Sequence, residues 1–482
     1  MDNYKKDTIK DKLKLKVTLL FCILVMAGCT VGPDYQPPEQ NVPANWIGRA
    51  GPLADVQADA VLLQWWKEFN DPNLTSLVRR AMNSNLDLRQ AEERIRQARA
   101  ARRVAAAGFW PTADATGSFT RSRTPGSGGL PANTTNLFQA GLDAAWELDI
   151  FGGTRRNIEA ADADIQAAVE DRRDVLITLV SEVAVNYVQL RGFQQEILIA
   201  RKNLKAQQDS AQVVRKRYEG GFVNALDLAN ANAQVATTLS QIPVLDTSAN
   251  QTIYNICLLL GQHPQYLLDE LSPASSIPLT PPEIPTGLPS EILRRRPDIR
   301  QAESRIHSAT ALIGVATADL FPKFNLAGSL SFRGENAKIF SWDDRFWSFG
   351  PSVDWQIFNA GRVSANIEVQ KALQQQAILE YEKTVLTALN EVESAFVAYS
   401  NEQQRHKALL DAVSQNRKAV EIATKLYIEG QTDFLSVLDA QRSLFSSEDS
   451  LVQSTRDLST GLIAIYKTLG GGWDSSDTFS VP

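Results

Sequence analysis

Three residue types that often carry chemistry are scarce in this chain. Its 482 residues hold only three cysteines, three histidines and three methionines. Cys22 lies inside an apolar N-terminal stretch, Cys29 closes it, and Cys257 stands alone in the run Ile256 to Leu260. No intramolecular disulfide framework can be built from that set, and Cys257 reads as a small core residue. His263, His307 and His406 are far apart, with none of the spacings that bring two imidazoles to one metal. Met82 is the one methionine beyond the N-terminal stretch, which gives no soft-metal path. There is no phosphate-cradling glycine loop, no nucleophile elbow and no CxxC; Gly470 to Gly472 follow a helical pattern and read as a C-cap. No catalytic residue, metal site or cofactor is therefore assigned, and an enzyme is not expected.

Two further absences bound the class. No run beyond the N-terminus approaches about 18 consecutive apolar residues, so no transmembrane helix is expected. A basic face is also missing. The formal charge is −6 and reaches −9 once six lysines and three aspartates of the first 28 residues are removed. Nucleic-acid binding wants the opposite balance. The arginines from Arg89 to Arg103 are interleaved with Glu92, Glu93 and alanines, and read as a solvated helix face.

What is present begins with a secretion signal, residues 1–28. A lysine-rich segment, Lys5 to Lys16, precedes the apolar Val17 to Ala27. Met26-Ala27-Gly28-Cys29 resembles a bacterial lipobox, in which Cys29 becomes the acylated N-terminus; Thr30 in place of Asp favours outer-membrane sorting by the same resemblance.

The rest is written twice. Asp87-Leu88-Arg89-Gln90-Ala91-Glu92 returns as Asp298-Ile299-Arg300-Gln301-Ala302-Glu303, 211 residues on; Trp146, Glu182, Tyr218, Gly221 and Gly261 return 209 residues on as Trp355, Glu391, Tyr427, Gly430 and Gly470. A Pro-punctuated arm, 29–72, which reads as extended, leads into repeat 1 (73–265); a Pro-rich connector (266–289) joins it to repeat 2 (290–473), and a polar tail follows (474–482). Each repeat opens with a helical segment, the first over roughly Asn73 to Gly108. Period-two alternation then marks strand pairs: Thr112 to about Arg121 with Phe138 to Leu148, and Lys323 to Arg333 with Trp347 to Ile357. About ten residues each, with aromatics near the ends, these suit tilted strands of an outer-membrane barrel better than a soluble sandwich hairpin.

Gly153 and Gly361 then open helical patterns more than sixty residues long. Leu176, Val180, Val183, Tyr187 and Leu190 step by four and three, as do Val385, Leu389, Val392, Phe396 and Tyr399, a heptad seam for coiled-coil packing. Glu219-Gly220-Gly221 and Glu429-Gly430 break them. Shorter helices return from Asn224 to Leu260, with a kink expected at Pro243, and from Asp433 to Leu469, with Thr432 or Asp433 as N-cap. Four strands cannot close a barrel, and open edges are not tolerated in lipid. Two copies would give eight strands with a filled interior, and three would give twelve with room for a pore. The fold expected is mainly α with a transmembrane β portion, a two-fold repeated protomer that trimerises.

Cys29 to Tyr35, the triplets Phe109-Trp110-Pro111 and Leu320-Phe321-Pro322, and Leu438-Asp439-Ala440-Gln441-Arg442-Ser443-Leu444 resemble the outer-membrane factor lipoproteins of tripartite efflux pumps, TolC relatives of the NodT-type branch. The resemblance covers essentially the whole chain beyond the signal. It implies a homotrimer anchored in outer-membrane lipid, a twelve-stranded β-barrel continued by a periplasmic α-barrel, and docking to a periplasmic adaptor and an inner-membrane pump, often of the resistance-nodulation-division (RND) type. It puts Gly220, Gly221 and Gly430 at the periplasmic tip, with Leu435 as an apolar plug and Asp439 and Arg442 as gate groups. Near a threefold axis three Asp439 carboxylates would repel unless paired, and Arg442 is within reach; an ordinary surface Asp–Arg pair is the alternative. Their repeat-1 counterparts are Asn230 and Ala233. A duct for type I protein secretion and a non-conducting structural coiled-coil lipoprotein are the competing functions.

Overall fold

A computed structural model describes residues 30–39, 42–43, 45–47, 62–126, 131–278, 289–335 and 340–473. The signal, Cys29, the connector's 279–288 and the tail lie outside the described residues. Helices α1 (Pro72–Ser84) and α2 (Leu86–Ala107) precede strands β1 (Thr112–Thr124) and β2 (Asn133–Leu148), then α3 (Gly153–Glu219) and α4 (Ala225–Leu259). After two short helices, α5 (Leu268–Leu271) and α6 (Pro289–Arg295), the order returns as α7 (Pro297–Ala318), β3 (Lys323–Gly334), β4 (Arg345–Asp354), α8 (Arg362–Ile428) and α9 (Phe434–Thr468). Copies match in length: α2 and α7 have 22 residues, α3 and α8 have 67, α4 and α9 have 35. At 1.5 Å per residue, 67 residues make about 100 Å of helix. The seam residues Leu176, Val180, Val183, Tyr187 and Leu190 are buried, as are Val385, Val392, Phe396 and Tyr399. Helix α4 runs through Pro243 without a break.

The single helical segment expected over 73–108 is two helices. Asp71 caps the first, its Oδ1 accepting from Asn73 and Leu74 N–H at 2.8 and 3.0 Å, with Pro72 at N1 where a missing N–H is harmless. Asn85 then leaves helical geometry (φ −61°, ψ 137°) and restarts it: its Oδ1 accepts from Leu88 N–H at 2.8 Å, and its Nδ2 donates to Leu259 O at 2.9 Å. In repeat 2 the same joint, between α6 and α7, is made by Arg296. Its Nη1 donates to Thr468 O at 3.1 Å, the carbonyl equivalent to Leu259 O, while Nε and Nη2 hold Asp298. The glycines ending the return helices fit against these joints. Gly261 (φ 63°) and Gly470 (φ 75°) both have positive φ, and a Cβ would stand 2.8 Å from Ser84 O and 3.3 Å from Arg295 O respectively.

The arm is not extended throughout, because its aromatics find burial. Trp65, Trp66 and Phe69 sit in a 3-10 turn, Trp65–Phe69, and are buried; Trp65 stacks on Tyr466 at 5.3 Å between ring centroids. Earlier, Arg156 holds the arm by donating to Val31 O and to Asp34, and Tyr35 donates to Glu303 while stacking on His307. Connector residues Leu267 and Leu271 are fully buried, and Gln194 donates to Leu271 O. Cys257 is buried too, its Sγ 3.5 Å from Pro264 O.

Neither repeat is a compact body. Of the described residues, one unit gathers those within 30–39, 94–169 and 301–382; the other gathers those within 42–93, 170–300 and 383–473. The first holds one four-stranded antiparallel sheet, order β1-β2-β3-β4, in which β2 and β3 join the copies. β4 ends at Asp354, short of the expected Ile357, and β2 begins at Asn133, five residues earlier than its alternation suggested.

Candidate functional site: an apolar sheet face and paired helical turns

The registers align side chains of one character across the whole sheet. Phe119 faces Phe138; Ala140, Leu142, Ala144, Trp146 and Leu148 face Phe332, Leu330, Gly328, Leu326 and Phe324; these last four, from Leu330 on, face Trp347, Phe349, Pro351 and Val353. Residues one step out of phase, among them Asp114, Thr116, Asp143, Ser329 and Ser348, share the other face, because strand side chains alternate. There Thr116 donates to Asp143 at 3.3 Å, and the Ser329 and Ser348 hydroxyls lie 2.8 Å apart. On the apolar face Phe119, Leu142, Trp347, Phe349 and Val353 are more than half exposed. Water is the wrong solvent for that face, and hydrocarbon the right one. Trp146 donates its indole N–H to Phe109 O at 2.9 Å and Trp355 donates to Leu320 O at 3.1 Å, one bond repeated at both strand–helix junctions.

The second unit holds the turns. Helix α3 ends in a Schellman motif: Phe222 N–H donates to Arg217 O and Gly221 N–H to Tyr218 O, with Gly221 at φ 76°. Gln431 to Leu426 O and Gly430 to Tyr427 O repeat it after α8, with Gly430 also at φ 76°. At Gly220 φ is not positive; a Cβ there would meet the Phe222 ring at 2.9 Å. Asn224 and Asp433 then cap the return helices, accepting from Asp227 and Ser436 N–H at 3.0 Å each; Asp433 rather than Thr432 is the cap. The hydroxyl and N–H of Ser436 hold the Asp433 carboxyl below its ordinary range.

Under the turns lies a cluster from four helices: Ala211 and Val214, Ala231, Tyr427, and Phe434, Val437 and Leu438. Tyr427 is buried, which pushes its phenol up, while its counterpart Tyr218 is 42% exposed, so the paired tyrosines have different roles. Arg217 ties one turn to the other. Its Nη1 donates to Tyr427 O at 2.6 Å and its guanidinium lies over the Tyr427 ring at 4.6 Å.

Leu435, Asp439 and Arg442 lie on the solvent-facing side of α9. Leu435 is 51% exposed, as its equivalent Leu226 is at 64%. Arg442 approaches Asp439 only to 3.9 Å; its Nε donates instead to Gln234 of α4 at 2.8 Å. Gln234 and Arg217 escaped sequence reasoning. Their counterparts are Ser443 and Leu426, so the repeat gave no signal, although an arginine in the last turn of a long helix is where a cation favours the dipole.

These features have known counterparts. A model of the outer membrane efflux protein family matches residues 77–262 and 288–471, one match to each repeat. The chain is 32% identical over 460 residues to Nodulation protein T of Rhizobium leguminosarum bv. trifolii, covering 95% of this chain and 98% of that one. It is also 32% identical over 466 residues to the pyoverdine export outer membrane protein OpmQ of Pseudomonas aeruginosa (95% and 97% covered). The solved outer-membrane channel OprN superposes with a TM-score of 0.82 at 38% identity, covering 92% of this chain and all of that one. The protein belongs to the outer membrane efflux protein family. It is an outer-membrane channel component of an efflux system, with the sheet as its membrane-spanning part.

Proposed function

We propose that three copies form the passive exit duct of a tripartite pump, opened and closed at the helical turns. The observation that carries this is the sheet: among the described residues it has four strands, one continuous apolar face, and outer strands β1 and β4 each paired on one side only. Open edges are too costly in hydrocarbon, and threefold closure pairs each β4 with a neighbour's β1 in a twelve-stranded barrel. An inner-membrane pump of the RND type drives transport through a periplasmic adaptor, so the duct itself needs no catalytic group. The relative named for pyoverdine export supports small-molecule cargo over secreted protein.

Within this reading Cys29 is the acylated anchor. Gly220, Gly221 and Gly430 form the periplasmic tip, Leu435 narrows the aperture, and Asp439 with Arg442 provides its charged ring. Exposure of all three α9 side chains in one chain suits a role toward the threefold axis. Planar-bilayer recording on purified protein tests it. Discrete channels are expected, with larger or longer openings when Asp439 and Arg442 are both replaced by Ala. Absence of channels from wild type and double variant alike would leave the coiled-coil spacer as the better function.

A further inference from the structure

The middle of α9 is seated on α3 and α8 by an ionic cluster that its repeat partner lacks. Glu196 of α3, 4% exposed, faces Arg456 of α9 at 3.5 Å. The arginine stem reaches it across Gly192, where a Cβ would stand 3.0 Å from Arg456 Cδ. Arg456 also holds Asp457 at 3.2 Å, and Arg405 of α8 bridges Glu402 at 3.0 Å and Asp457 at 3.8 Å. Ser454 donates to Glu402, and Gln453 donates to Asp449 at 2.9 Å. The nearby imidazole is His406 of α8, 3.1 Å from the Thr455 hydroxyl.

Charge does not balance in this cluster. Glu196, Glu402, Asp449 and Asp457 are four carboxylates against two guanidiniums, Arg405 and Arg456. Arg456 is shared, and Glu196 holds the more distant and more buried end of it. Glu448, one residue from Asp449, shows the satisfied alternative: equally buried, it has Arg417 at 2.9 Å, Lys202 at 3.7 Å and Asn203 at 3.3 Å. Among the described residues Glu196 has in place of that set Arg456 at 3.5 Å.

We propose that Glu196 is a proton-binding switch at the seat of α9, locking α9 onto α3 when protonated and loosening it when ionised. Burial, and next the Asp449 charge, push the Glu196 carboxyl up to about 7, with Arg456 opposing. Burial raises Asp449 as well. A carboxyl raised on folding stabilises the packed state below its ordinary value near 4.5 and loses that contribution as pH rises through about 7. Helix α9 also carries Leu435, Asp439 and Arg442; Asp439 is 17 residues from Arg456, about 25 Å along the helix. Acid should therefore hold the aperture closed and mild alkali favour opening. This last link rests on the duct reading above; the proton site does not.

Two measurements on the full-length protein separate them. In planar bilayers, wild-type open probability should rise between pH 6 and pH 8 around a midpoint near 7, and Glu196→Gln should hold the acid behaviour throughout. His406→Gln should leave the midpoint in place. In pH-difference infrared spectra, which need no conductance, a protonated-carboxyl band should vanish over the same range and be absent from Glu196→Gln. Asp449→Asn should move that midpoint down and Arg456→Gln should move it up, which keeps the test open if Glu196→Gln fails to assemble. A wild-type response that persists in Glu196→Gln, or one lost in His406→Gln, overturns the proposal. A titrating band with no channels at any pH, in wild type and in the Asp439→Ala, Arg442→Ala double variant alike, would keep the proton site and reject the duct.

Discussion

The two helical hairpins, α3–α4 and α8–α9, share lengths, Schellman ends and the position of their N-caps, yet one return helix carries two charged side chains, Asp227 and Asp246, and the other carries seven of both signs. Asn230, Ala233, Leu239, Ser240, Thr247 and Ser248 on α4 stand where α9 has Asp439, Arg442, Glu448, Asp449, Arg456 and Asp457. The backbones agree because turns and caps depend on a few residues: a glycine at positive φ and a short side chain that accepts hydrogen bonds. Side-chain chemistry differs around them. In a threefold assembly a single set of charges per protomer is set three times round the axis, whereas a symmetric set would be repeated six times. With charges of both signs along its length, α9 is the return helix equipped to respond to charge.

The largest expected departure from symmetry lies at the helix joints. Arg296→Ala removes a buried guanidinium that bonds Thr468 O and holds the part-exposed Asp298 and Glu391, at a cost of about 2–3 kcal/mol. Asn85→Ala loses a cap and one carbonyl bond, about 1–2 kcal/mol. Amide exchange in the first turns of α7 and α2 reads both locally; equal protection losses would mean the joints are equivalent after all. Next in size come the glycines facing those joints. Gly261→Ala and Gly470→Ala both pay about 1–2 kcal/mol for the left-handed backbone. The Gly261 variant should lose more in thermal midpoint, since its Cβ would meet Ser84 O at 2.8 Å rather than 3.3 Å.

Much of this comparison was legible in the sequence, and what was not has physical causes. Glycines at a fixed offset, the heptad seam and the strand alternation are local signals, and the long helices appear within a residue of where those signals start and stop. The break at Asn85 was hidden because helical periodicity runs on across it, and its reason, a bond to Leu259 O, lies 174 residues away. The arm's proline punctuation suggested extended chain, and what folds its end is just as distant in sequence: Trp65 packs on Tyr466, some 400 residues along. At the proposed gate, Asp439 and Arg442 were readable only by resemblance. Spacing suggested that they pair with each other, but an exposed i,i+3 pair contributes a few tenths of a kcal/mol, too little to outcompete the Gln234 amide that α4 presents.

Two smaller effects would sharpen the contrast further. Asp439→Ala with Arg442→Ala should change stability by less than about 1 kcal/mol, since both side chains are exposed, while altering channel opening. Asn230→Ala should do neither, and an equal effect on conductance would end the assignment of gate charges to α9 alone.

Smallest is the difference between the caps. Asp433 is a carboxylate held below its ordinary value of 3.8 by hydrogen bonds from Ser436; Asn224 is a neutral amide making the same backbone bond. A carboxyl depressed on folding contributes stability above its ordinary value and loses it as pH falls through the lower, folded one. The first turn of α9 should therefore fray in strong acid while that of α4 does not. Because Asp433 is fully exposed, the change is confined to that turn. Amide protection at Ser436, divided by that at Asp227 to cancel the intrinsic pH dependence of exchange, should fall below pH 3.8 and stay flat in Asp433→Asn. A ratio that does not move in the wild type would show that the carboxylate caps no better than an amide, leaving the two turns equivalent in chemistry as well as in shape.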